Sequence, residues 1–258
     1  MTKTTLNFQT ASGHQVLAAA GKKILRPGGR VATEQLFQWA GFKPSETVLE
    51  LASSFGYTAI ALAKRYKVHV VGIEKNPSSV ARARANVAAA GMTDQVEIIE
   101  GDIFHLDRID QQFDYVLAEA ILTMQSPPGK AKILSAIRDR LKQGGKFLSH
   151  ELLARNQEAE IHRALAQVIR VNSTPDSESN WIATFEAAGL LVQQHQTGAM
   201  SLLNLRRMLQ DEGIIDTMRI LWNILSCPQL RERVLAMRRV FQQYQQDLGY
   251  IVLCAKRV

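Results

Sequence analysis

The chain has 258 residues, of which 46% are hydrophobic and 21% are charged. This length predicts one or two domains, and the composition excludes a disordered chain, a collagen-like chain and a disulfide scaffold. No stretch approaches the ~18 consecutive apolar residues that span a bilayer, and the first ten residues lack the apolar core of a signal peptide. Cys227 and Cys254 lie far apart, and no cysteine or histidine spacing indicates a metal site. We therefore expect a cytoplasmic protein without a bound metal.

The net charge is +7, from 31 basic and 24 acidic side chains. Such an excess permits attraction to nucleic acid or to an anionic membrane without establishing either. Basic and aromatic residues do not alternate in the way that builds a stacking surface for bases, so a nucleic-acid partner is not favoured. We expect the basic cluster Lys22, Lys23, Arg26 and Arg30 to be a solvated helix face, with an anionic ligand or a membrane as the alternative.

The first 44 residues predict a helical lead-in. A first helix is expected over 15–25, where apolar residues recur at helical spacing. The sequence Pro27-Gly28-Gly29 interrupts it. A second helix is expected over 31–40, with Gly41 as its C-cap.

From Thr47 onwards, apolar runs alternate with helical segments. Strands are predicted at 47–51, 68–73, 96–99, 113–117 and 146–149, with helices at 57–66, 77–90 and 129–141. Strands that alternate with helices of 10–15 residues indicate parallel βαβ units. Open sheets of this doubly wound kind bind ligands beyond the carboxyl ends of their strands, where the strand order reverses.

The second half of the chain is more helical. Helices are predicted at 156–170, 181–188, 202–227 and 229–246, with strands at 190–194 and 249–255. We therefore predict an α/β fold with a doubly wound, mainly parallel, seven-stranded sheet and a helical cap. Its parts are a helical lid over 1–44, a ligand-binding domain over 45–199 and 248–258, and a helical cap insertion over 200–247. Met200, Met208, Met218 and Trp222 of the cap would be core residues or would line an apolar substrate cavity.

Three acidic residues close the first three predicted strands. Glu74 follows Gly56 by 18 residues, which suits an acid that accepts hydrogen bonds from both hydroxyls of a ribose. Asp102 would accept a hydrogen bond from an exocyclic amine, with Ile103 packed on the ring face, although an Asp here is also typical of a turn or a cap. Glu50 precedes the first turn and would repel a pyrophosphate.

The turn after the first strand distinguishes two cofactors. A dinucleotide enzyme has three glycines there, whereas Glu50-Leu51-Ala52-Ser53-Ser54-Phe55-Gly56 has one. An acid before the turn suits a ligand that carries cations, and S-adenosylmethionine carries an ammonium and a sulfonium. The acids therefore favour S-adenosylmethionine over a nicotinamide cofactor.

The segment TVLELASSFGYTAIALA resembles the first motif of the class I S-adenosylmethionine-dependent methyltransferases. Glu50 matches the motif's acid and Gly56 its last glycine, whereas Ala52 and Ser54 stand where glycines are usual. The segment VVGIEKNPSSVARARANVAAAGM resembles the second motif, with Glu74 as the ribose acid and Lys75 beside it. VEIIEGDI is similar to the adenine-reading segment, and FDYVLAEAILTM and LKQGGKFLSHELL resemble the fourth and fifth strand motifs. The resemblance implies a Rossmann-like fold.

A closer resemblance is to small-molecule enzymes, namely phosphoethanolamine and sarcosine/dimethylglycine methyltransferases, and more distantly the ubiquinone/menaquinone methyltransferases. Gly28-Gly29-Arg30-Val31-Ala32-Thr33 resembles their lead-in, which implies that Gly29 and Thr33 close over the methionine end of the cofactor. Glu119 matches an aspartate that holds the cofactor's amino group. Tyr57, at the head of the helix after the turn, would close over the cofactor or be a core aromatic residue. Thr123 stands where the phosphoethanolamine enzymes carry a catalytic histidine.

These residues predict methyl transfer to N, O or C of a small-molecule acceptor by direct displacement. An amine acceptor needs only to be neutral, whereas an alcohol or phenol needs a base. His150, after the fifth predicted strand, is the candidate base, with a buried structural histidine as the alternative, and His14 is expected to be exposed. An RNA or protein methyltransferase and a non-catalytic S-adenosylmethionine-binding protein stay open, as does a homodimer.

Overall fold

Seven strands form one sheet in the order β3-β2-β1-β4-β5-β7-β6 in the computed structural model, which describes residues 6–258. The strands are β1 Thr47–Leu51, β2 His69–Glu74, β3 Val96–Glu100, β4 Phe113–Glu119, β5 Leu141–Ala154, β6 Leu190–Ala199 and β7 Leu248–Arg257. Strands β1 to β5 pair in parallel, and β7 lies antiparallel to both β5 and β6. The mainly parallel, doubly wound, seven-stranded sheet is confirmed.

Helices cover both faces of the sheet. They are α1 Gly13–Ala19, α2 Gly29–Ala40, α3 Tyr57–Tyr66, α4 Pro77–Ala89, α5 Pro127–Arg140, α6 Glu158–Ile169, α7 Glu178–Ala187, α8 Leu205–Glu212, α9 Ile214–Ser226 and α10 Pro228–Gln243, with 3₁₀ helices at Ile103–Arg108 and Leu122–Met124. Helices α2, α3 and α4 pack on one face, and α5 and α7 pack on the other. Because parallel strands covered on both faces are buried, their sequences read as nearly continuous apolar runs.

Strand β5 is longer than predicted, because it starts at Leu141 rather than 146 and ends at Ala154 rather than 149. Antiparallel pairing with β7 extends from Lys146 opposite Lys256 to Ala154 opposite Leu248. The hydrogen bonds of this late strand keep the chain extended past the apolar run. As a result His150 lies within the strand and not in a loop after it.

Two glycines with positive φ explain other differences from the predicted helices. The helix expected at 15–25 ends at Ala19, just before Gly21 at φ 102°. The helix expected at 202–227 is two helices, α8 and α9, separated at Gly213, where φ is 82°. Such φ values do not occur in a right-handed helix, and glycine adopts them without a steric penalty.

The N-terminal helix packs on the last helices before β7. Val16 and Leu17 of α1 share an apolar cluster with Leu230, Val234 and Met237 of α10. This contact brings residues 6–25 and the region 200–247 together at the carboxyl edge of the sheet. The division of the chain into lid, core and cap stays a prediction.

A buried ion pair joins the segment after α1 to the end of α8. Lys22 Nζ lies 3.3 Å from Glu212 Oε1, and both side chains are 1% exposed. The Glu212 carboxylate also accepts hydrogen bonds from the backbone N–H groups of Lys23 and Ile24. The expectation that the basic cluster forms a solvated helix face is wrong for Lys22, because Gly21 ends the helix and turns Lys22 inwards.

We expect Glu212→Ala to lower the free energy of unfolding by about 3–5 kcal/mol, because it leaves the Lys22 charge buried without a partner. Urea denaturation measures the loss. Glu34→Ala is the matched control, since Glu34 pairs with Arg65 on the exposed surface and should change stability by less than about 0.5 kcal/mol. Equal effects of the two substitutions would show that the Lys22–Glu212 pair does not hold the two regions together.

Candidate functional site

A cavity of about 500 Å³ opens at the carboxyl edge of the sheet. The strand order reverses between β1 and β4, so the loops after these strands diverge and leave the crevice in which doubly wound sheets bind ligands. Nine of the predicted site residues line this cavity: Glu50, Ala52, Ser54, Tyr57, Glu74, Lys75, Asp102, Ile103 and Glu119. Gly29, Thr33, Gly56 and His150 are not among its lining residues.

The turn between β1 and α3 keeps a glycine-like backbone without the usual glycines. Ala52 has φ 52° and Ser54 has φ 51°, and Gly56 at φ 75° precedes α3. Non-glycine residues in this left-handed region cost of order 1–3 kcal/mol each and persist only where the surroundings require them. This strain is consistent with a functional turn.

Glu74, at the end of β2, is held by this turn. Its Oε2 accepts a hydrogen bond from Ser54 N and its Oε1 accepts one from Asn76 N, both at 2.9 Å. Each carboxylate oxygen keeps a second lone pair for a ligand. The strained turn therefore orients an acceptor pair towards the cavity.

Asp102 follows β3, caps the 3₁₀ helix Ile103–Arg108 and lines the large cavity. Its Oδ1 accepts a hydrogen bond from Phe104 N at 3.0 Å, and its Oδ2 lies 2.8 Å from Lys75 Nζ. Burial would raise the pKa of Asp102, but the hydrogen bonds from Lys75 and Phe104 hold it below its usual value. Asp102 is thus an ionised acceptor beside Ile103.

Glu50 and Glu119 form an acidic floor below the turn. Side chains two residues apart on a strand share a face, so Glu119 lies on the face of Leu117, the residue that pairs with Glu50. Glu50 is 6% exposed, and its Oε2 has no hydrogen-bond partner. Burial raises the pKa of Glu50 to about 8, although Arg26 opposes the shift.

Arg26 lies between this floor and the lead-in. A guanidinium nitrogen is 2.9 Å from Glu119 Oε2, and the side chain also contacts Thr33 and Thr58. Burial would raise the pKa of Glu119, but Arg26, His150 and Thr33 lower it. The solvated face expected for Arg26 is therefore wrong, and nothing in the local sequence pattern distinguishes this arginine from its neighbours.

Thr33 and His150 lie one layer behind the cavity, because both contact Glu119 in its wall. Thr33 Oγ1 donates to Glu119 Oε1 at 2.5 Å, and His150 Nδ1 lies 3.4 Å from the same oxygen. His150 Nε2 accepts a hydrogen bond from Gly28 N at 3.0 Å, and the side chain is fully buried. The structure thus places His150 behind Glu119, with both ring nitrogens close to protein groups.

Glu151 holds the loop after β4 from the other face of the sheet. Its carboxylate accepts hydrogen bonds from the N–H groups of Leu122 and Thr123 and from Thr123 Oγ1, the last at 2.6 Å. Burial raises the pKa of Glu151 to about 7, while these hydrogen bonds lower it. Thr123, which stands where related enzymes carry a histidine, is therefore part of a loop anchor.

A second, smaller cavity of about 90 Å³ adjoins the first. His14, Leu25, Ala120 and Met124 line both cavities, so the two are neighbours across the segment around α1. The wall of the smaller cavity is largely apolar and includes side chains from α1, α6 and α10. His14 is exposed, as expected, but the sequence analysis did not place it at this junction.

Comparison with known proteins agrees with this geometry. A family model described as a methyltransferase domain matches residues 48–145. An uncharacterised protein of Haemophilus influenzae is 33% identical over 246 residues, which is 95% of this chain and 98% of the relative. The chain belongs to the class I S-adenosylmethionine-dependent methyltransferase family. It is therefore an S-adenosylmethionine-dependent methyltransferase, and the expected fold, cofactor and enzyme class are confirmed.

Two further similarities show how far the likeness extends. An arsenite methyltransferase of Halobacterium salinarum is 29% identical over 110 residues, which is 42% of this chain and only 27% of that protein. A methyltransferase of Geobacter sulfurreducens, solved in complex with S-adenosylhomocysteine, has a TM-score of 0.71 at 18% identity and covers 95% of this chain and 98% of its own. The structural likeness at this identity concerns the fold.

The residues of the large cavity suit this cofactor. Glu50 Oε2 is a buried acceptor without a hydrogen bond, which fits a ligand that brings an ammonium group. Glu74 and Asp102 add the acceptors that a ribose and an exocyclic amine require. When bound, S-adenosylmethionine supplies an electrophilic methyl group on a sulfonium. Within residues 6–258, no group of three or more His, Cys, Asp or Glu side chains is placed to hold a metal ion.

We expect the affinity for S-adenosylhomocysteine to rise from about pH 6 to about pH 8 and then to level off. Glu50 is largely protonated below its pKa of about 8, and an ammonium ligand favours the ionised form, so binding at low pH requires loss of a proton. Titration calorimetry measures the affinity. The control is Glu50→Gln, in which position 50 does not titrate. Its remaining pH dependence reports the ligand's own amino group, and the rise caused by Glu50 should be absent. The same pH profile for both proteins would contradict contact between Glu50 and the ammonium.

Proposed function

We propose that this methyltransferase acts on N, O or C of a small-molecule acceptor by direct displacement. The observation that carries the proposal is the apolar cavity of about 90 Å³ that shares four lining residues with the cofactor-sized cavity. A confined apolar space suits a small molecule, whereas a polymer needs an extended and, for nucleic acid, basic surface.

The acidic residues would hold the cofactor along its length. Glu74 would accept hydrogen bonds from the ribose hydroxyls, and Asp102 would accept one from the adenine amine, with Ile103 on the ring face. Glu50 and Glu119 would face the ammonium group. Ala52, Ser54 and Gly56 would allow the backbone of the turn to approach the ligand, and Tyr57 and Lys75 would flank it.

We assign His150, Gly29 and Thr33 a positioning role. Each contacts the acidic floor or the lead-in rather than either cavity, because Thr33 and His150 touch Glu119 and Gly29 begins α2. Arg26 would pair with the carboxylate of the cofactor's methionine moiety. This arrangement aligns two reactants in a site shielded by the helices above it, and alignment of this kind contributes about 7–11 kcal/mol in well-oriented reactions.

Other parts of the expectation are also proposals. A homodimer is supported by the exposed apolar residues of α9, among them Ile214, Ile215 and Trp222, each more than 70% exposed. Within residues 6–258, no helix is long and apolar enough to cross a membrane. A cytoplasmic location and the lack of a nucleic-acid partner are proposed from composition alone.

The acceptor class is tested by methylation of cell extract with S-adenosylmethionine labelled in its methyl group. Extract is separated by ultrafiltration into small molecules, protein and RNA before the reaction. We expect label in the small-molecule fraction. Label in RNA or protein would contradict the proposal, and binding of S-adenosylhomocysteine without label in any fraction would indicate a non-catalytic protein.

We expect Glu74→Ala to weaken binding of S-adenosylhomocysteine about tenfold or more, because hydrogen bonds to a charged group are worth about 1.5–3 kcal/mol. Titration calorimetry measures the change. Glu97→Ala, at an exposed position of β3, is the control and should bind like the wild type. An unchanged affinity of Glu74→Ala would contradict the ribose assignment.

Asp102→Ala tests the adenine assignment. We expect the wild type to prefer the adenosyl ligand to its inosyl analogue, which lacks the exocyclic amine, and the variant to lose that preference. Competition between the two ligands measures the ratio. Equal binding of both ligands to the wild type would contradict the assignment.

A further inference from the structure

The smaller cavity contains an unexplained polar group. Ser173 lies in its wall, is 1% exposed, and its Oγ has no hydrogen-bond partner in the described part of the chain. A buried polar group left without a partner costs about 1–3 kcal/mol. The hydroxyl of Ser173 is therefore a candidate for contact with a ligand in this cavity.

The other hydroxyl in this wall is already engaged. Thr123 Oγ1 donates to Glu151 Oε2 at 2.6 Å and accepts a hydrogen bond from Leu152 N at 3.1 Å. The rest of the wall is largely apolar, with Leu17, Leu165, Met237 and Phe241 among its residues. A molecule that fills this cavity is consequently apolar over most of its surface, with one polar atom for Ser173.

His14 lines both cavities and stands at the opening between them. Ser12 Oγ donates to Gln15 Oε1 at 3.0 Å and lies 3.1 Å from Nδ1 and 3.2 Å from Nε2 of His14, so its oxygen accepts a hydrogen bond from the one ring nitrogen that carries the proton. A neutral imidazole that donates through one nitrogen has a lone pair on the other. Although part of the residue is open to solvent, protein atoms around the ring desolvate it and lower the pKa of His14, against the opposing charge of Glu74.

We propose that the acceptor of this methyltransferase is an apolar small molecule with a nucleophilic hydroxyl, that His14 is its general base, and that Ser173 binds a second polar atom of the same molecule. The proposal rests on the proposed function, because it takes the large cavity as the cofactor site. It assigns to His14 the role that sequence analysis gave to His150.

The hydroxyl proton of the acceptor passes to the unprotonated ring nitrogen of His14 while the hydroxyl oxygen forms a bond to the methyl carbon. The carbon–sulfur bond breaks, its electron pair stays on sulfur, and the sulfonium becomes a neutral thioether. The imidazolium of His14 then releases its proton to water through its solvent-exposed side.

Binding to the protein loaded with S-adenosylhomocysteine tests Ser173. The probes are 4-hydroxyacetophenone, which has a hydroxyl and a carbonyl, and 4-ethylphenol, which lacks the carbonyl. We expect Ser173→Ala to weaken binding of the first probe about three- to tenfold, the effect of one lost hydrogen bond, and to leave the second unchanged. Ser179→Ala, at an exposed position, is the control and should change neither affinity.

The stability of Ser173→Ala separates recognition from a structural role. Because the hydroxyl has no partner, its removal should leave the melting temperature unchanged or raise it. A clear loss of stability, or equal weakening of both probes, would overturn the role of Ser173.

Turnover with labelled S-adenosylmethionine and 4-hydroxyacetophenone tests His14. We expect His14→Gln to lower kcat about 100-fold or more, as for loss of a general base, with binding of both probes within about threefold of wild type. Unchanged kcat would overturn the role of His14. Failure of the loaded wild type to bind either phenol, or methylation of dimethylglycine in preference to the phenol, would overturn the acceptor class. Failure to bind S-adenosylhomocysteine would instead contradict the proposed function itself.

Discussion

The burial of Glu50 is the constraint on which the site depends. A carboxylate removed from water is costly unless charges and hydrogen bonds replace its hydration, and one oxygen of Glu50 has no hydrogen bond. Arg26 is the cation whose charge acts on Glu50, but its guanidinium lies beside Glu119 as well. Once Glu50 is ionised, the acidic floor has two negative charges against the one positive charge of Arg26, and a cationic ligand relieves that excess. The family to which the chain belongs uses such a ligand.

The helices above the site are held by interactions outside it. Glu212 binds the segment after α1 through a buried ion pair and two backbone N–H groups. Its neighbour Asp211 accepts a hydrogen bond from Arg30 N near the start of α2 at 2.9 Å. These two carboxylates connect α8 to the chain on both sides of Arg26, and His14, earlier in the same segment, lines both cavities. The same segment therefore contributes to the walls of the large cavity and of the smaller one.

The acids were predictable because their positions follow from simple rules. Parallel strands end at one edge of a sheet, so Glu50, Glu74 and Asp102, each at the end of an apolar run, had to lie near one another. The turn was also predictable from its resemblance to the family motif. Ala52 and Ser54 stand at the motif's glycine positions and have the positive φ that glycine adopts easily. His150 was not, because its place depends on a partner strand almost a hundred residues later that extends β5.

The alternation of strands and helices, the order of the acids and the class of cofactor follow from periodicity and local spacing, which are properties of neighbouring residues. Only the packed structure shows which cations are buried, which histidine lines the smaller cavity, and that Ser173 Oγ has no hydrogen-bond partner within residues 6–258. Those features depend on contacts between residues far apart in the chain, such as Lys22 with Glu212 and α1 with α10. Such contacts form only when both packed surfaces exist, and no local pattern encodes them.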